Sequence, residues 1–282
     1  MNYSELLQLA KGWGNFVSDR INIWRLHFKE ILGQYCAINQ FVELGKRCFV
    51  TEHQKALETR EEFVELAIKN SITLTCYDAD KMVNAISRSY IVNVHLCFET
   101  FLKEAYNQVK KYGKGGYQEK QKEDSWLTCV TKNVLKGNLP DDLRPISELC
   151  EYYRLIRNTA VHDLCDIDSH VNEYKKLQKY NFKTEAKFAK LSAPNEYEKI
   201  SFDDFVMFSR SCVEVATYLF NQIVYDYEKI IEDVPESQKK VWRKYSDQRC
   251  ARAIISYLNT EFKLDDSLDG QMSRLIEYVK AR

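Results

Sequence analysis

Residues 78–111 carry apolar side chains at steps of three and four positions, and this period constrains the fold more than any other feature of the chain. The repeated positions are Val83, Ile86, Tyr90, Val94, Cys97, Phe101 and Ala105. Such steps place side chains on one face of a helix with about 3.6 residues per turn. The segment is therefore predicted to form one long helix with a buried face, and a chain built from such helices is all-α.

The other side of this predicted helix carries a line of polar residues. Arg88, His95 and Glu99 are spaced by seven and four positions, which puts them on one side of the helix. Glu99 and Lys103 lie four residues apart and are predicted to form an ion pair on the helix surface.

Three further segments have the helical period. One covers about 124–136 and ends at Gly137, and the next ends near His162. The stripe of this second helix that we expect to be buried is Leu149, Tyr153, Ile156 and Ala160. The third is predicted to be one helix over 201–231, with Ser201 as its N-cap. Its apolar positions alternate four and three apart, which is typical of a helix that packs along another helix, in the same chain or in a partner.

These segments divide the chain into three predicted parts. Residues 1–72 form a helical N-terminal extension, with helices over about 15–32 and 54–69. Residues 73–231 form the core, in which 163–200 is polar, lysine-rich and broken around Pro194. Residues 232–282 form a helical C-terminal tail.

Composition limits the class of protein. The 41 basic and 41 acidic residues give no net charge, so a polyanion could bind only at a local basic patch. The 9 cysteines are scattered and contain no C-x-x-C pair, which is typical of buried thiols in a reducing compartment. No apolar run reaches membrane-spanning length, and the N-terminus has no signal-peptide pattern. These features predict a cytoplasmic protein without a membrane partner.

A polar cluster closes the predicted helix that ends near His162. Arg154, Asn158 and His162 are spaced by four and share a face, whereas Arg157 lies about 140° from His162 around a straight helix. An imidazole transfers protons near pH 7, and a guanidinium binds phosphate oxygens through paired hydrogen bonds. Together they meet the needs of RNA phosphodiester cleavage. The sequence offers no acidic or His/Cys ligand set, so we expect neither metal nor cofactor.

The string Arg157-Asn158-Thr159-Ala160-Val161-His162 resembles the R-x4-6-H signature of the HEPN superfamily, including the polar residue that follows its arginine. The helix around Phe98-Glu99 and Leu102 resembles the opening helix of that fold. Asp203-Asp204-Phe205 resembles the start of its closing helix. The resemblance covers about residues 78–230.

This resemblance implies a four-helix bundle that forms a homodimer, with two copies of the motif facing one composite cleft. It implies a metal-independent endoribonuclease that leaves a 2′,3′-cyclic phosphate and a 5′-hydroxyl. Such proteins often act as toxins or anti-phage defence effectors that stay silent until triggered, so an inhibitor or sensor protein is an expected partner beside RNA.

The resemblance also assigns roles to residues of this chain. His162 would transfer protons, Arg157 would hold the phosphate, and Asn158 would orient the imidazole or the phosphate. Arg154 is a second candidate for phosphate binding from its position alone, and Glu99 is a candidate supporting residue. Two other interpretations stay open: a non-catalytic HEPN-like module that binds RNA, nucleotide or a partner protein, and a helical scaffold in which these residues only complete a hydrogen-bonded helix end.

Overall fold

The computed structural model describes residues 65, 68–71, 79–162, 167–262 and 271–281. This part of the chain is predominantly helical and contains no strand, so the all-α prediction is confirmed for it. The helices are α1 (Ala79–Tyr112), α2 (Trp126–Leu135), α3 (Arg144–His162), α4 (Ile167–Leu177), α5 (Phe202–Asn221), α6 (Tyr227–Glu232), α7 (Glu236–Arg243), α8 (Asp247–Phe262) and α9 (Met272–Lys280). The predicted helices over 15–32 and 54–69 lie outside the described residues, except for positions 65 and 68–69.

Helices α1 and α2 agree with the sequence pattern. The apolar stripe of α1 is buried at Tyr90, Val94, Cys97, Phe101 and Ala105. The hydroxyl oxygen of Ser125 caps α2 by accepting a hydrogen bond from the Thr128 amide at 3.1 Å. The ion pair between Glu99 and Lys103 is present at 2.8 Å.

Helix α3 buries most of its predicted stripe. Leu149, Tyr153 and Ile156 are fully enclosed, but Ala160 is exposed, so the prediction was wrong for that position. Ala160 lies in the last turn of the helix, where the adjacent Thr159 is buried instead. Helical phase shows which residues face the same way, but it does not show how far the covering elements extend.

The continuous helix predicted over 201–231 is interrupted. Helix α5 ends at Asn221, Tyr225 forms an isolated β-bridge with Gly113, and α6 begins only at Tyr227. Two backbone hydrogen bonds hold this segment, from the Lys114 amide to the Val224 carbonyl at 2.9 Å and from the Asp226 amide to the Tyr112 carbonyl at 2.7 Å. These bonds compete with helical ones, and the apolar spacing of the sequence contains no sign of them.

Helix α4 occupies a segment for which the sequence predicted only a polar, broken stretch. Its inward positions His170, Tyr174 and Leu177 are four and three apart, so a helical period was present but weak. Because most of the other positions are polar, the segment has the composition of a loop.

The chain divides into two compact units. The first contains Met1–Leu7, Phe28–Phe98 and Asp141–Val213, and the second contains Gln8–His27, Glu99–Pro140 and Glu214–Arg282. The division into 1–72, 73–231 and 232–282 therefore stays a prediction, since these compact units are built from discontinuous segments.

The first unit is organised around the beginning of α5. Every residue from 204 to 209 is buried, so this helix is enclosed on all sides. Aromatic rings from two other helices pack against the beginning of α5. The ring centre of Tyr90 in α1 lies 5.4 Å from that of Phe205, and the ring centre of Tyr153 in α3 lies 4.9 Å from that of Phe208. Helix α3 is thereby fixed against the core by its middle, and in its last turn Thr159 is buried while Ala160 and Val161 are exposed.

A fully buried carboxylate, that of Asp204, joins α5 to α3 and to the loop before α5. It accepts five hydrogen bonds, from the Tyr153 hydroxyl at 2.9 Å, from the Asn195 amide and side chain at 2.8 Å each, and from the Ser201 amide and hydroxyl at 2.9 and 3.0 Å. The bond from the Ser201 amide is the one that a side chain three residues into a helix makes to the N-cap residue in a capping box. Burial raises the pKa of Asp204 above its usual value, and the hydrogen bonds oppose that rise.

The second unit contains the helices predicted for the C-terminal tail, and α7, α8 and α9 confirm the helical prediction for their residues. Trp242 is buried with its ring 5.8 Å from that of Tyr257, and the Arg243 guanidinium donates to the Val279 carbonyl at 3.0 Å.

The five described cysteines are buried and free, as the cysteine pattern predicted for the thiols themselves. Cys97, Cys129, Cys150, Cys212 and Cys250 are buried and unpaired with one another as disulfides. Burial raises the pKa of Cys97 to about 11. Among the described residues, no helix has both the length and the apolar character that a membrane span requires.

Candidate functional site at the end of helix α3

The last turns of α3 place two of the predicted site residues in contact. The Arg157 guanidinium donates a hydrogen bond to the Asn158 side-chain carbonyl at 3.0 Å. Both side chains are half-buried, so each keeps some access to solvent. Asn158 therefore has a partner that the sequence did not indicate, because it was expected to orient the imidazole or the phosphate.

Arg154 is engaged within its own helix. Its guanidinium pairs with the Glu151 carboxylate at 2.5 Å, and both side chains are partly exposed. Partly exposed ion pairs of this kind contribute only about 0–1 kcal/mol, so a competing phosphate could take the place of Glu151.

His162 is the last residue of α3. Its helical position lies about 40° from that of Asn158 and about 60° from that of Thr159. The side chain of His162 and residues 163–166 lie outside the described part of the chain.

Glu99 lies in the second unit, whereas Arg154, Arg157, Asn158 and His162 lie in the first. Its carboxylate pairs with Lys103 on the surface of α1. The supporting role that the resemblance gave to Glu99 stays a prediction.

A cavity of about 550 Å³ lies beside the end of α3, within the first unit. Its walls come from α3, from α4 and from the short 3₁₀ turn Tyr197–Lys199. The lining residues are Tyr152, Thr159, His170, Val171, Tyr174, Lys175, Gln178, Glu196, Tyr197 and Glu198.

Two groups of α1 hold the wall that carries Tyr197. The buried Asn84 amide donates to the Tyr197 carbonyl at 3.0 Å and to the Ile200 carbonyl at 3.1 Å. The Arg88 guanidinium carbon lies 4.4 Å from the centre of the Tyr197 ring, a cation–π contact. Arg88 thus packs on an aromatic ring of the cavity wall. The sequence pattern, which placed Arg88 with other polar residues on one side of α1, did not predict this contact.

His170 is the buried histidine of the cavity lining. Its ring lies 5.2 Å from that of Tyr197, and its Nδ1 lies 3.4 Å from the Thr159 hydroxyl oxygen. Burial lowers the pKa of His170 from its usual 6.5, while the nearby Glu198 carboxylate acts in the opposite direction. The imidazole is therefore neutral at pH 7.

The sequence did not predict this cavity, because its histidine and most of its tyrosines belong to the segment that has the composition of a loop. The available signal was the step of four and three from His170 through Tyr174 to Leu177. The position of Tyr197 carried no signal, because a 3₁₀ turn of three residues has no period.

Within the residues that the structure describes, no three His, Cys, Asp or Glu side chains group as potential metal ligands. The chain matches no protein-family model, and it has no significant match among curated proteins or solved structures.

Proposed function

We propose that this protein is a metal-independent endoribonuclease of the HEPN type, which cleaves RNA by attack of the ribose 2′-hydroxyl on the adjacent phosphate. In this proposal α1 is the opening helix of a four-helix core, α3 carries the motif and α5 is the closing helix. The alternative is a non-catalytic module of the same kind that binds RNA or nucleotide without cleaving it.

The observation that carries the proposal is the hydrogen bond between Arg157 and Asn158 at 3.0 Å, in the helix that ends at His162. A guanidinium fixed by an amide keeps its remaining N–H groups in a defined direction, which favours paired contacts with phosphate oxygens. In this proposal the role of Asn158, the residue after the arginine, is to orient the Arg157 guanidinium.

The chemistry divides between two kinds of side chain. One His162 imidazole takes the proton of the 2′-hydroxyl as this oxygen bonds to phosphorus, and a second imidazole protonates the 5′-oxygen as its bond to phosphorus breaks. Arg157 stabilises the charge that develops on the phosphate oxygens. The products are a 2′,3′-cyclic phosphate and a 5′-hydroxyl.

Two copies of His162 at one phosphate require two chains, and the surface of α3 supports such a pairing. Val161 is 46% exposed, and Ala160 beside it is also exposed. The beginning of α5 is enclosed by its own unit, so we place the interface on the last turn of α3 and not on α5. The proposed assembly is a symmetric homodimer.

An RNA-cleaving protein of this kind is harmful unless it is controlled. We extend the proposal to a toxin or anti-phage effector in the cytoplasm, restrained by an inhibitor or sensor protein until it is needed.

The test is cleavage of a labelled RNA in the presence of EDTA. The wild type should produce 2′,3′-cyclic phosphate ends, and Arg157→Ala and His162→Ala should each lower the cleavage rate by at least about a hundredfold, the usual size for acid–base or electrostatic catalysis.

Arg144→Ala is the matched control, because Arg144 is an exposed arginine of the same helix that pairs with Asp141 at 3.0 Å. It should cleave at the wild-type rate. Thermal unfolding of all variants shows whether the fold is intact. RNA binding without any cleavage would contradict the nuclease and favour the non-catalytic module.

A further inference from the structure

The cavity beside α3 has the size and the walls of a site for a small planar molecule. Its volume of about 550 Å³ falls in the range of roughly 300–1,000 Å³ found for small-molecule sites. Two half-buried tyrosines, Tyr174 and Tyr197, contribute to the lining, beside the fully buried Tyr152. Tyrosine rings stack on nucleobases whatever their sequence, because every base presents a π face.

Thr159 engages one ring nitrogen of His170. The Thr159 hydroxyl oxygen lies 3.2 Å from the Leu155 carbonyl oxygen and 3.4 Å from His170 Nδ1. A hydroxyl has one proton, which it can donate to either of these acceptors, so both tautomers of His170 satisfy the contact. The second ring nitrogen, Nε2, belongs to a residue of the cavity lining and suits a hydrogen bond to the edge of a base.

The remaining polar side chains suit a ribose. Glu196 and Glu198 line the cavity together with Lys175, and the Glu196 carboxylate also pairs with Lys199 at 3.1 Å. Carboxylates accept hydrogen bonds from ribose hydroxyls, as they do in dinucleotide sites.

The cavity also lies close to the motif. Thr159 belongs to its wall and precedes His162 by three residues, which is about 4.5 Å along the helix axis. A nucleoside in the cavity would therefore lie within one helical turn of the His162 position.

We propose that this cavity receives the nucleoside next to the cleaved phosphate, with its base against the tyrosines and its ribose hydroxyls on the glutamates. This inference rests on the proposed ribonuclease function. It names the substrate as single-stranded RNA, with a preference for ribose over deoxyribose and for a base whose edge hydrogen-bonds to His170.

The first experiment measures binding without cleavage. The four ribonucleosides and their 2′-deoxy counterparts are titrated into the Arg157→Ala chain by calorimetry. At least one ribonucleoside should bind, and its affinity should fall about tenfold in Arg157→Ala/Tyr174→Ala, the size expected from the loss of one base–aromatic stack. Tyr174→Phe keeps the ring and should keep the affinity.

The control is Tyr180→Ala, since Tyr180 is a half-buried tyrosine close in sequence to α4 but outside the cavity lining. It should leave nucleoside binding unchanged. Glu198→Gln should abolish the preference for ribose over deoxyribose, because the carboxylate is the group that accepts from the ribose hydroxyls. An equal preference with and without Glu198→Gln would overturn that part of the proposal.

The second experiment measures RNA cleavage in the chain with Arg157 intact. Tyr174→Ala should lower kcat/KM about tenfold, and the nucleoside that binds should inhibit wild-type cleavage competitively. Non-competitive inhibition would assign the cavity to a free nucleoside and overturn its role in RNA binding.

The two proposals fail in different ways. RNA cleavage that is insensitive to Tyr174→Ala, without nucleoside binding, would overturn the cavity proposal and leave the ribonuclease intact. Nucleoside binding that depends on Tyr174, in a chain that does not cleave RNA, would overturn the ribonuclease and the link to a cleaved phosphate together.

Discussion

At the scale of single residues, His170 is the group whose ionisation acts most directly on the fold. It is buried between Thr159 and Tyr197, and the Arg88 guanidinium lies on the same tyrosine ring. Glu198 is the carboxylate near it. Protonation of His170 would place a second positive charge beside the Tyr197 ring, which the Arg88 guanidinium already contacts. Water reaches this place poorly.

We expect the protein to lose stability as the pH falls from about 6.5 through the lower pKa of folded His170. In that window the unfolded chain binds the proton and the folded chain does not, so acid favours unfolding. Urea unfolding at pH 7.5 and at pH 5.5 measures the loss.

His170→Gln should lose less stability over the same range, because it removes this titration and leaves the other histidines in place. An equal loss in the wild type and in His170→Gln would show that His170 does not carry the effect.

At the scale of elements, the start of α5 depends on a charged acceptor. The carboxylate of Asp204 faces donors only, from Tyr153, Asn195 and Ser201. An asparagine side chain at position 204 would have the same shape but only one acceptor oxygen. Its N–H₂ group would point at N–H and O–H donors, with which it cannot form hydrogen bonds. Helix α3 and the loop before α5 are therefore held in place by the charge state of one residue.

Asp204→Asn should lower the free energy of unfolding by about 2–3 kcal/mol, because at least two donors lose their acceptor. Tyr153→Phe removes a single hydrogen bond and should cost about 1 kcal/mol. Chemical denaturation measures both. A smaller loss in Asp204→Asn than in Tyr153→Phe would mean that relief from burying the charge outweighs the lost hydrogen bonds.

The elements also show how far the sequence could be interpreted. In α1 the period predicted the helix and the buried positions from Tyr90 to Ala105, while Val83 and Ile86 of the same stripe are only half-buried. At Tyr225 the backbone pairs with Gly113 in place of forming helical hydrogen bonds. The apolar period predicted a continuous helix there, and the helix is interrupted. The contact between Arg157 and Asn158 could not be predicted, since a step of one residue places side chains about 100° apart on a helix and only the length of the arginine closes the gap.

At the scale of the whole molecule, the proposed activity requires two chains, and the last turn of α3 is where we expect them to meet. Val161 is the exposed apolar residue of this turn, and it lies in sequence between Arg157 and His162. Burial of Val161 between two copies would bring two motifs together.

Val161→Asp should separate the dimer and lower RNA cleavage at least tenfold without lowering Tm, because an exposed position tolerates a charge while an apolar interface does not. Sedimentation equilibrium gives the assembly state. Val241→Asp is the matched control, since Val241 is exposed to a similar extent, 47%, and lies in the other unit. A dimer that persists in Val161→Asp would place the interface elsewhere.

The cavity draws most of its wall from α4 and from the 3₁₀ turn, while Arg157 and Asn158 belong to α3. Substitutions in α4 and in the 3₁₀ turn can therefore accumulate over evolutionary time without disturbing the hydrogen bond between Arg157 and Asn158. Descendants of one ancestral gene could diversify in the molecules they accept while inheriting the same reactive residues.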